Sequence, residues 1–195
     1  MTAINPQRIE GRWLAGIALD FHTTRSTPIG PNAQGHMQFE TLRPEIAELL
    51  YRLKYRQDRS AAQAIITTAA NFLKPYRPKF DVIIPVPPST PRALQPVILL
   101  ANGIGAAVGL PVINCVGTTR TPAQLKGVED PVRREQLLNG LYTVDTRHTA
   151  RRRVLLFDDL FRSGSTMNAI TDVLVQTGQA ASVCTLTITR TRSRH

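Results

Sequence analysis

Residues 154–166 join a short apolar run to two adjacent carboxylates, a small polar loop with one glycine and the start of a helical pattern; they read V-L-L-F-D-D-L-F-R-S-G-S-T. A continuous apolar run of this length predicts a buried parallel strand. Polar residues that follow such a strand lie at the carboxyl edge of the sheet, where α/β proteins bind their ligands. The segment therefore predicts an α/β fold with a ligand site directly after this strand.

The loop after this strand has the chemistry of an anion site. Its backbone N–H groups lie at a helix N-terminus, its glycine allows close approach of a phosphate, and its hydroxyls add donors. The two carboxylates repel phosphate and suit the vicinal hydroxyls of a sugar, or water on a magnesium ion. We interpret the segment as a ribose 5-phosphate site; the alternative is a strand that ends in a solvated acidic turn. The residues concerned are Asp158, Asp159, Arg162, Ser163, Gly164, Ser165 and Thr166.

The rest of the chain alternates between strand and helix patterns, which predicts a doubly wound, mainly parallel sheet flanked by helices. We place this α/β domain at 76–195 and an accessory or hood region at 1–75. The predicted strands are 12–21, 81–86, 111–116, 141–144, 153–157 and 181–189. The predicted helices are 42–55, 60–73 with Ser60 as N-cap, 92–108 ended by Gly109, and 166–176. Residues 24–41 and 117–139 are predicted to be loops, the second with room for a short helix.

The charge of the chain is strongly positive and unevenly distributed. The 195 residues include 24 Lys and Arg against 14 Asp and Glu, a net charge of +10. Residues 147–195 hold 8 basic and 3 acidic residues, which is half of that excess. Arginine pairs well with phosphate, so a phosphorylated metabolite or nucleic acid is one interpretation, and a solvated basic surface is the other.

Several classes of protein are excluded by composition. Two cysteines in a chain of this size make no disulfide scaffold, and the absence of C-x-x-C excludes a zinc site built from cysteine pairs. We interpret Cys115 and Cys184 as core thiols, because both fall in apolar strands. The start of the chain lacks the apolar stretch of a secretion signal, and we expect a soluble, cytoplasmic protein.

The segment 154–166 resembles the signature of the type I phosphoribosyltransferases. In that family four apolar residues precede Asp-Asp, and a small polar loop with Gly and Thr follows. Arg162 is a departure, since the family usually has a small residue there. The resemblance implies binding of 5-phosphoribosyl 1-pyrophosphate (PRPP) with Mg²⁺, the ion being held through the substrate or by Asp158 and Asp159.

The same resemblance assigns roles outside this segment. The sequence DVIIPVPPSTPR at 81–92 resembles the pyrophosphate loop of the family. The long segment between the second and third strands corresponds to a flexible loop that closes over the substrate. The resemblance implies pyrophosphate binding by Pro88, Ser89, Thr90 and Arg92, and catalytic roles for Asp158, Asp159, Arg120 and Lys126.

A narrower resemblance is to the ComF-like phosphoribosyltransferases. It is carried by TPAQLKGVEDPVRREQLLNGLYTV at 121–144 and by YRLKYRQD at 51–58. PVPPST at 85–90 and LTITRT at 186–191 resemble a subgroup associated with RecQ-type DNA helicases. The glycines of G-I-G-A-A-V-G at 103–109 fall inside a helical pattern, so we interpret them as packing residues and not as a dinucleotide motif.

Two functions follow as hypotheses. The first is an enzyme that transfers phosphoribosyl from PRPP to a nitrogen acceptor, a nucleobase or an amine, in nucleotide metabolism; family members are often homodimers. The second is a non-catalytic PRPP- or nucleotide-binding or regulatory module that works with DNA or a DNA helicase in DNA uptake or repair.

Overall fold

A computed structural model describes residues 2–32, 34–88, 94–120, 128 and 130–192. In chain order the strands are β1 (Gln7–Arg8), β2 (Ala15–Phe21), β3 (Arg25–Pro31), β4 (Met37–Leu42), β5 (Val82–Pro85), β6 (Val116–Thr118), β7 (Tyr142–Val144), β8 (Arg153–Phe161) and β9 (Ser182–Arg190). The helices are α1 (Glu45–Tyr55), α2 (Arg59–Leu73), α3 (Pro96–Val108), α4 (Pro131–Leu138) and α5 (Ser165–Gln176).

A five-stranded sheet with the order β1-β2-β9-β8-β5 forms the centre of the protein. The pairs β2–β9, β9–β8 and β8–β5 are parallel, and β1 is antiparallel to β2. The predicted fold class, a mainly parallel sheet flanked by helices, is confirmed. Because four strands run in the same direction, the ends of β2, β5, β8 and β9 meet at one edge.

Alternate residues of β8 enter different cores on the two faces of the sheet, as the period of two in a strand requires. Leu155 and Phe157 pack in a cluster with residues of α1, α2 and α3. Val154 and Leu156 pack in a second cluster with residues of α5. Burial on both faces explains why this strand is a continuous apolar run in the sequence.

Residues 1–75 contribute β1, β2, α1 and α2 to the central sheet and to its core. The predicted boundary at residue 75 therefore does not coincide with an edge of the sheet. The part of this region that stands away from both cores is the antiparallel pair β3–β4, whose residues are mostly exposed.

Residues 24–41 were predicted to be a loop, and this prediction is wrong. They form the β3–β4 hairpin, whose turn is closed by hydrogen bonds between Asn32 and His36. Gly35 adopts φ +77° in this turn, a conformation that glycine adopts without strain. The prolines and glycines that indicated a loop occupy the turn and a bulge between Pro28 and Gly30.

Two other predictions for local structure are corrected. The N-cap of α2 is Asp58, whose carboxylate accepts the Ser60 N–H at 3.0 Å, and not Ser60 itself. β7 does not join the central sheet; it pairs with β6 in a separate two-stranded sheet. Of the strand predicted over 111–116, Val112 makes a single parallel bridge to Ile83, and Val116 opens β6.

Helix ends are mostly where the sequence placed them. α3 ends at Gly109 with φ +70°, as predicted. The glycine-rich stretch 103–109 lies within α3 and its cap; Gly103 lies against Ile66 of α2, and Gly105 lies against Val112. Among the residues that the structure describes, no helix is long and apolar enough to cross a membrane.

Candidate active site

The acidic pair lies inside the end of β8, and not in a turn after it. β9 continues to pair with β8 past both carboxylates, with Asp158 opposite Thr187 and Leu160 opposite Thr189. The predicted strand 153–157 is therefore four residues too short at its carboxyl end. Because the pair is within a strand, the two side chains point to opposite faces of the sheet.

Asp159 points to the face covered by α1. Its Oδ1 accepts a hydrogen bond from Nζ of Lys54, in the last turn of α1, at 2.8 Å. The two side chains are 9% and 16% exposed. This ion pair joins the N-terminal region to the end of β8.

Asp158 lies on the other face of the sheet, towards α5 and β7. Burial, together with the negative charge of Asp159, raises the pKa of its carboxyl group to about 8. The N–H of Asp159, which donates to Asp158 Oδ1 at 2.8 Å, and the charge of Lys54 act in the opposite direction. The raised pKa favours the protonated form of Asp158 at neutral pH.

The loop after β8 presents a helix N-terminus. Gly164 is the N-cap of α5 with φ +76°, and a Cβ at this position would lie 2.9 Å from Cε2 of Phe161. Arg162 and Ser163 are exposed, and the hydroxyls of Ser163 and Ser165 are 3.0 Å apart. Gly164 lets the chain turn from β8 into α5, and the first N–H groups of a helix are donors of the kind that bind anions.

Tyr142 of β7 is a site residue that the sequence did not indicate. Its side chain hydrogen-bonds to Thr166 in the first turn of α5. Burial raises the pKa of the Tyr142 phenol, and the nearby charge of Asp158 raises it further. The contact fixes one hydroxyl of the loop beside the acidic pair.

His22, which follows β2, was also missed. Its N–H donates to the carbonyl of Arg190 at 2.7 Å, and its Nδ1 lies 3.1 Å from Oγ1 of Thr189. Burial lowers the pKa of the imidazole, and the charges of Lys54, Arg43 and Arg162 lower it further. These cations come from α1, from the residues just before α1 and from the loop after β8.

Two other predicted site residues, Arg120 and Pro88, lie outside the loop after β8. Arg120 is exposed, and its guanidinium donates to the carbonyls of Leu137 at 3.2 Å and Asn139 at 3.0 Å, at the C-terminal end of α4. Pro88 is exposed just beyond β5, and the N–H of Val86 is bound to the carbonyl of Phe157 at 2.8 Å. That bond places the start of the predicted pyrophosphate loop next to the acidic pair. Lys126, Ser89, Thr90 and Arg92 lie outside the described residues.

The acidic pair offers few free charged oxygens to a directly bound Mg²⁺. Magnesium takes oxygen ligands in octahedral geometry and usually keeps several waters beside one or two carboxylates and substrate phosphates. Here one oxygen of Asp159 is bound to the ammonium group of Lys54, and burial raises the pKa of Asp158, which disfavours its charged form. Within the described part of the chain, no group of three or more His, Cys, Asp or Glu side chains could hold a metal ion.

The cysteines do not take part in this site. Cys115 is buried and Cys184 is half-buried, and both are free. Burial raises the pKa of both thiols, which disfavours the reactive thiolate. Their interpretation as core thiols agrees with these positions.

Comparison with solved structures identifies the fold. The adenine phosphoribosyltransferase of Leishmania donovani superposes with a TM-score of 0.51 at 12% identity, over 95% of this chain and 75% of that chain. The chain has a phosphoribosyltransferase fold. The adenine phosphoribosyltransferase of Saccharomyces cerevisiae gives a TM-score of 0.49 at 14% identity, over 85% of this chain and 82% of that chain.

An allosteric regulatory enzyme of purine biosynthesis gives a TM-score of 0.47 at 20% identity. The match covers 66% of this chain and 26% of that enzyme. No protein-family model matches the sequence, and no curated protein matches it. The similarity is therefore one of fold.

Proposed function

We propose that this protein is a phosphoribosyltransferase that binds PRPP and transfers its phosphoribosyl group to a nitrogen acceptor, a nucleobase or an amine. The observation that carries the proposal is the juxtaposition of the acidic pair, in which Asp159 is buried and Asp158 half-buried, with the N-terminus of α5 at the carboxyl edge of a parallel sheet. The fold shared with adenine phosphoribosyltransferase supports it.

Each part of the site has a role in this proposal. The N–H groups and hydroxyls at the start of α5 bind the 5-phosphate, with Arg162 beside them. Asp158 and Asp159 bind the ribose hydroxyls, which orients the sugar. Pro88, Ser89, Thr90 and Arg92 bind the pyrophosphate, and Arg120 and Lys126 close over it. Magnesium would enter with the pyrophosphate of the substrate.

The reaction breaks the bond between ribose C1 and the pyrophosphate oxygen and forms a bond from C1 to the acceptor nitrogen. Both electrons of the broken bond leave with pyrophosphate, and the acceptor nitrogen loses a proton. Positive charge builds up on C1 and the ring oxygen in the transition state. The protein acts by positioning and by stabilising the negative charge of the leaving group.

Residues 1–75 supply the acceptor side in this proposal, as a hood. His22 and Lys54, both from this region, lie near Asp159, which supports this assignment. The β3–β4 hairpin begins three residues after His22, and it exposes the apolar side chains of Ile29, Met37 and Phe39.

The test is a calorimetric titration with PRPP and with ribose 5-phosphate for the wild type and Asp159→Asn. We expect the substitution to weaken ribose 5-phosphate binding about tenfold or more, because a charge-assisted hydrogen bond of about 1.5 kcal/mol is lost. Glu10→Gln, an exposed carboxylate changed in the same way, is the control. Wild-type affinity in Asp159→Asn would refute the assignment of the site.

A second candidate is the non-catalytic module that engages DNA or a DNA helicase. It is favoured by basic side chains at the same edge, where Arg190 and Arg192 lie over the ring of Phe21 at 6.0 and 5.0 Å. Phosphate contacts would make the affinity for single-stranded DNA fall steeply with salt. Absence of DNA binding at low salt would exclude this candidate.

A further inference from the structure

The ion pair between Lys54 and Asp159 differs from the other ion pairs in the described part of the chain by its burial. Its side chains are 16% and 9% exposed, and each of the other pairs has at least one partner that is a third or more exposed. Burying two charges is costly unless they stay together. The ammonium is therefore fixed on this carboxylate.

The packing of helix α1 brings Lys54 to this position. Leu50 and Leu53 of the same helix are fully buried in the core that also holds Phe157 of β8. Arg52 points elsewhere and pairs with Asp58 at the start of α2. The packing of α1 thus leaves one cation of its last turn at the carboxyl edge of the sheet.

The ammonium binds Oδ1 of Asp159. In the proposed function the other oxygen, Oδ2, accepts a sugar hydroxyl. The positive charge of Lys54 neutralises a carboxylate that would otherwise need a metal ion to do so. Phosphorylated sugars are anions, so an uncompensated acidic pair would repel them. A fixed cation removes that repulsion before any ligand arrives.

We propose that Lys54 is the resident cation of the acidic pair: it holds Asp159 in place and allows ribose 5-phosphate to bind at this edge without Mg²⁺. The proposal rests on the proposed function, because it assigns the ribose hydroxyls to this pair. Lys54 is a positioning residue in it, since it acts through Asp159. Magnesium then serves the pyrophosphate part of the substrate and not the ribose part.

The experiment measures the affinity for ribose 5-phosphate by calorimetry, in EDTA and in excess MgCl₂. For the wild type we expect the two affinities to agree within about twofold, a difference well under the 1.4 kcal/mol that corresponds to tenfold. Lys54→Met should weaken binding in EDTA by about tenfold or more, because a charge-assisted contact that orders Asp159 is lost. Added Mg²⁺ should recover part of that loss.

Lys54→Arg keeps the charge and should keep most of the Mg²⁺-independent binding. Lys74→Met is the matched control, because Lys74 is exposed and contacts Asn71, away from the site. A purely structural role for Lys54 would not change the dependence on Mg²⁺. The readout is therefore specific to the proposed charge.

Three outcomes separate the hypotheses. If the wild type binds ribose 5-phosphate only with Mg²⁺, or if folded Lys54→Met binds as the wild type does in EDTA, the role of Lys54 is refuted and the proposed function stands. If the wild type binds neither ribose 5-phosphate nor PRPP under any condition, the proposed function itself fails. The wild-type comparison requires no variant, so the test holds even if Lys54→Met does not fold.

Discussion

Strand β8 ends in an ion pair at each edge of the sheet, and the two pairs are built differently. At the amino end, Arg153 donates two side-chain hydrogen bonds to Asp81, and the side chains are 47% and 37% exposed. At the carboxyl end, Lys54 makes a single, nearly buried contact with Asp159. The exposed pair is joined by two side-chain hydrogen bonds, whereas the buried pair has one and lies in the candidate active site.

The electrostatic consequences at the two ends are opposite. Hydrogen bonds from Arg153 lower the pKa of Asp81 to about 2. Burial and a neighbouring carboxylate raise the pKa of Asp158 to about 8. The charged form of Asp81, just before β5, is therefore stabilised by a solvent-exposed partner on β8, and the charged form of Asp158, within β8, is destabilised by burial. Perturbation of the second kind is typical of functional sites.

The backbone conformation also differs between the two ends of β8. Arg151, just before β8, adopts φ +59°, and Gly164, just after it, adopts φ +76°. The amino end tolerates a side chain in this conformation because Arg151 is exposed. At the carboxyl end Phe161 fills the space that a Cβ would need.

The largest effect is expected from breaking the buried pair. Lys54→Met leaves a buried, unpaired carboxylate and should lower the free energy of unfolding by about 3 kcal/mol. Asp81→Asn breaks the exposed pair and should cost about 1 kcal/mol or less, because water screens these charges. Urea unfolding of both variants measures the difference. Equal losses would show that burial does not distinguish the two ends.

The next effect is expected from the loop glycine. Gly164→Ala places a side chain at φ +76° against Phe161 and should destabilise the fold by about 2 kcal/mol. It should also weaken ribose 5-phosphate binding, because the start of α5 must shift. Thermal unfolding and calorimetry measure the two losses. A Gly164→Ala protein that binds as tightly as the wild type would remove the α5 N-terminus from the site.

The two ends should respond to pH with opposite signs. Asp81 has a pKa of about 2 in the fold and 3.8 as its ordinary value, so its stabilisation is present above about pH 4 and is lost as the pH falls towards 2. Asp158 has a pKa of about 8 in the fold. Between about pH 4 and 8 the unfolded chain releases this proton while the folded protein keeps it, so stability falls as the pH rises.

A series of urea unfolding curves from pH 2 to 9 measures both effects. Asp158→Asn should flatten the decrease between pH 4 and 8, and Asp81→Asn should reduce the decrease below pH 4. If Asp158→Asn leaves the slope between pH 4 and 8 unchanged, this carboxyl group does not hold a proton in the folded protein.

The smallest effect is expected from Arg151→Gly. Glycine adopts a positive φ without strain but has more freedom in the unfolded chain, so the two contributions oppose each other. We expect a change in stability of no more than about 1 kcal/mol. A loss comparable to that of Gly164→Ala would mean that the amino end depends on the Arg151 side chain after all.

Local sequence patterns were sufficient to predict most of the strands and helices. The sequence prediction agrees with β5, with β9 and with the apolar part of β8, as well as with the end of α3 at Gly109 and the helix after Gly164. Each depends on residues adjacent in the chain. The β3–β4 hairpin was missed because a turn rich in proline and glycine resembles a loop unless strand pairing is known.

The sequence by itself determined the segment from β8 into α5, with its acidic pair and its left-handed glycine, because strand, loop and helix signals are local and follow one another directly. Only the tertiary structure decided what surrounds that pair. Lys54 lies 105 residues from Asp159 in the chain, and the two meet because α1 packs against the sheet through its leucines. His22 and Tyr142 also reach the site through packing between segments that are distant in the sequence, which no local pattern predicts.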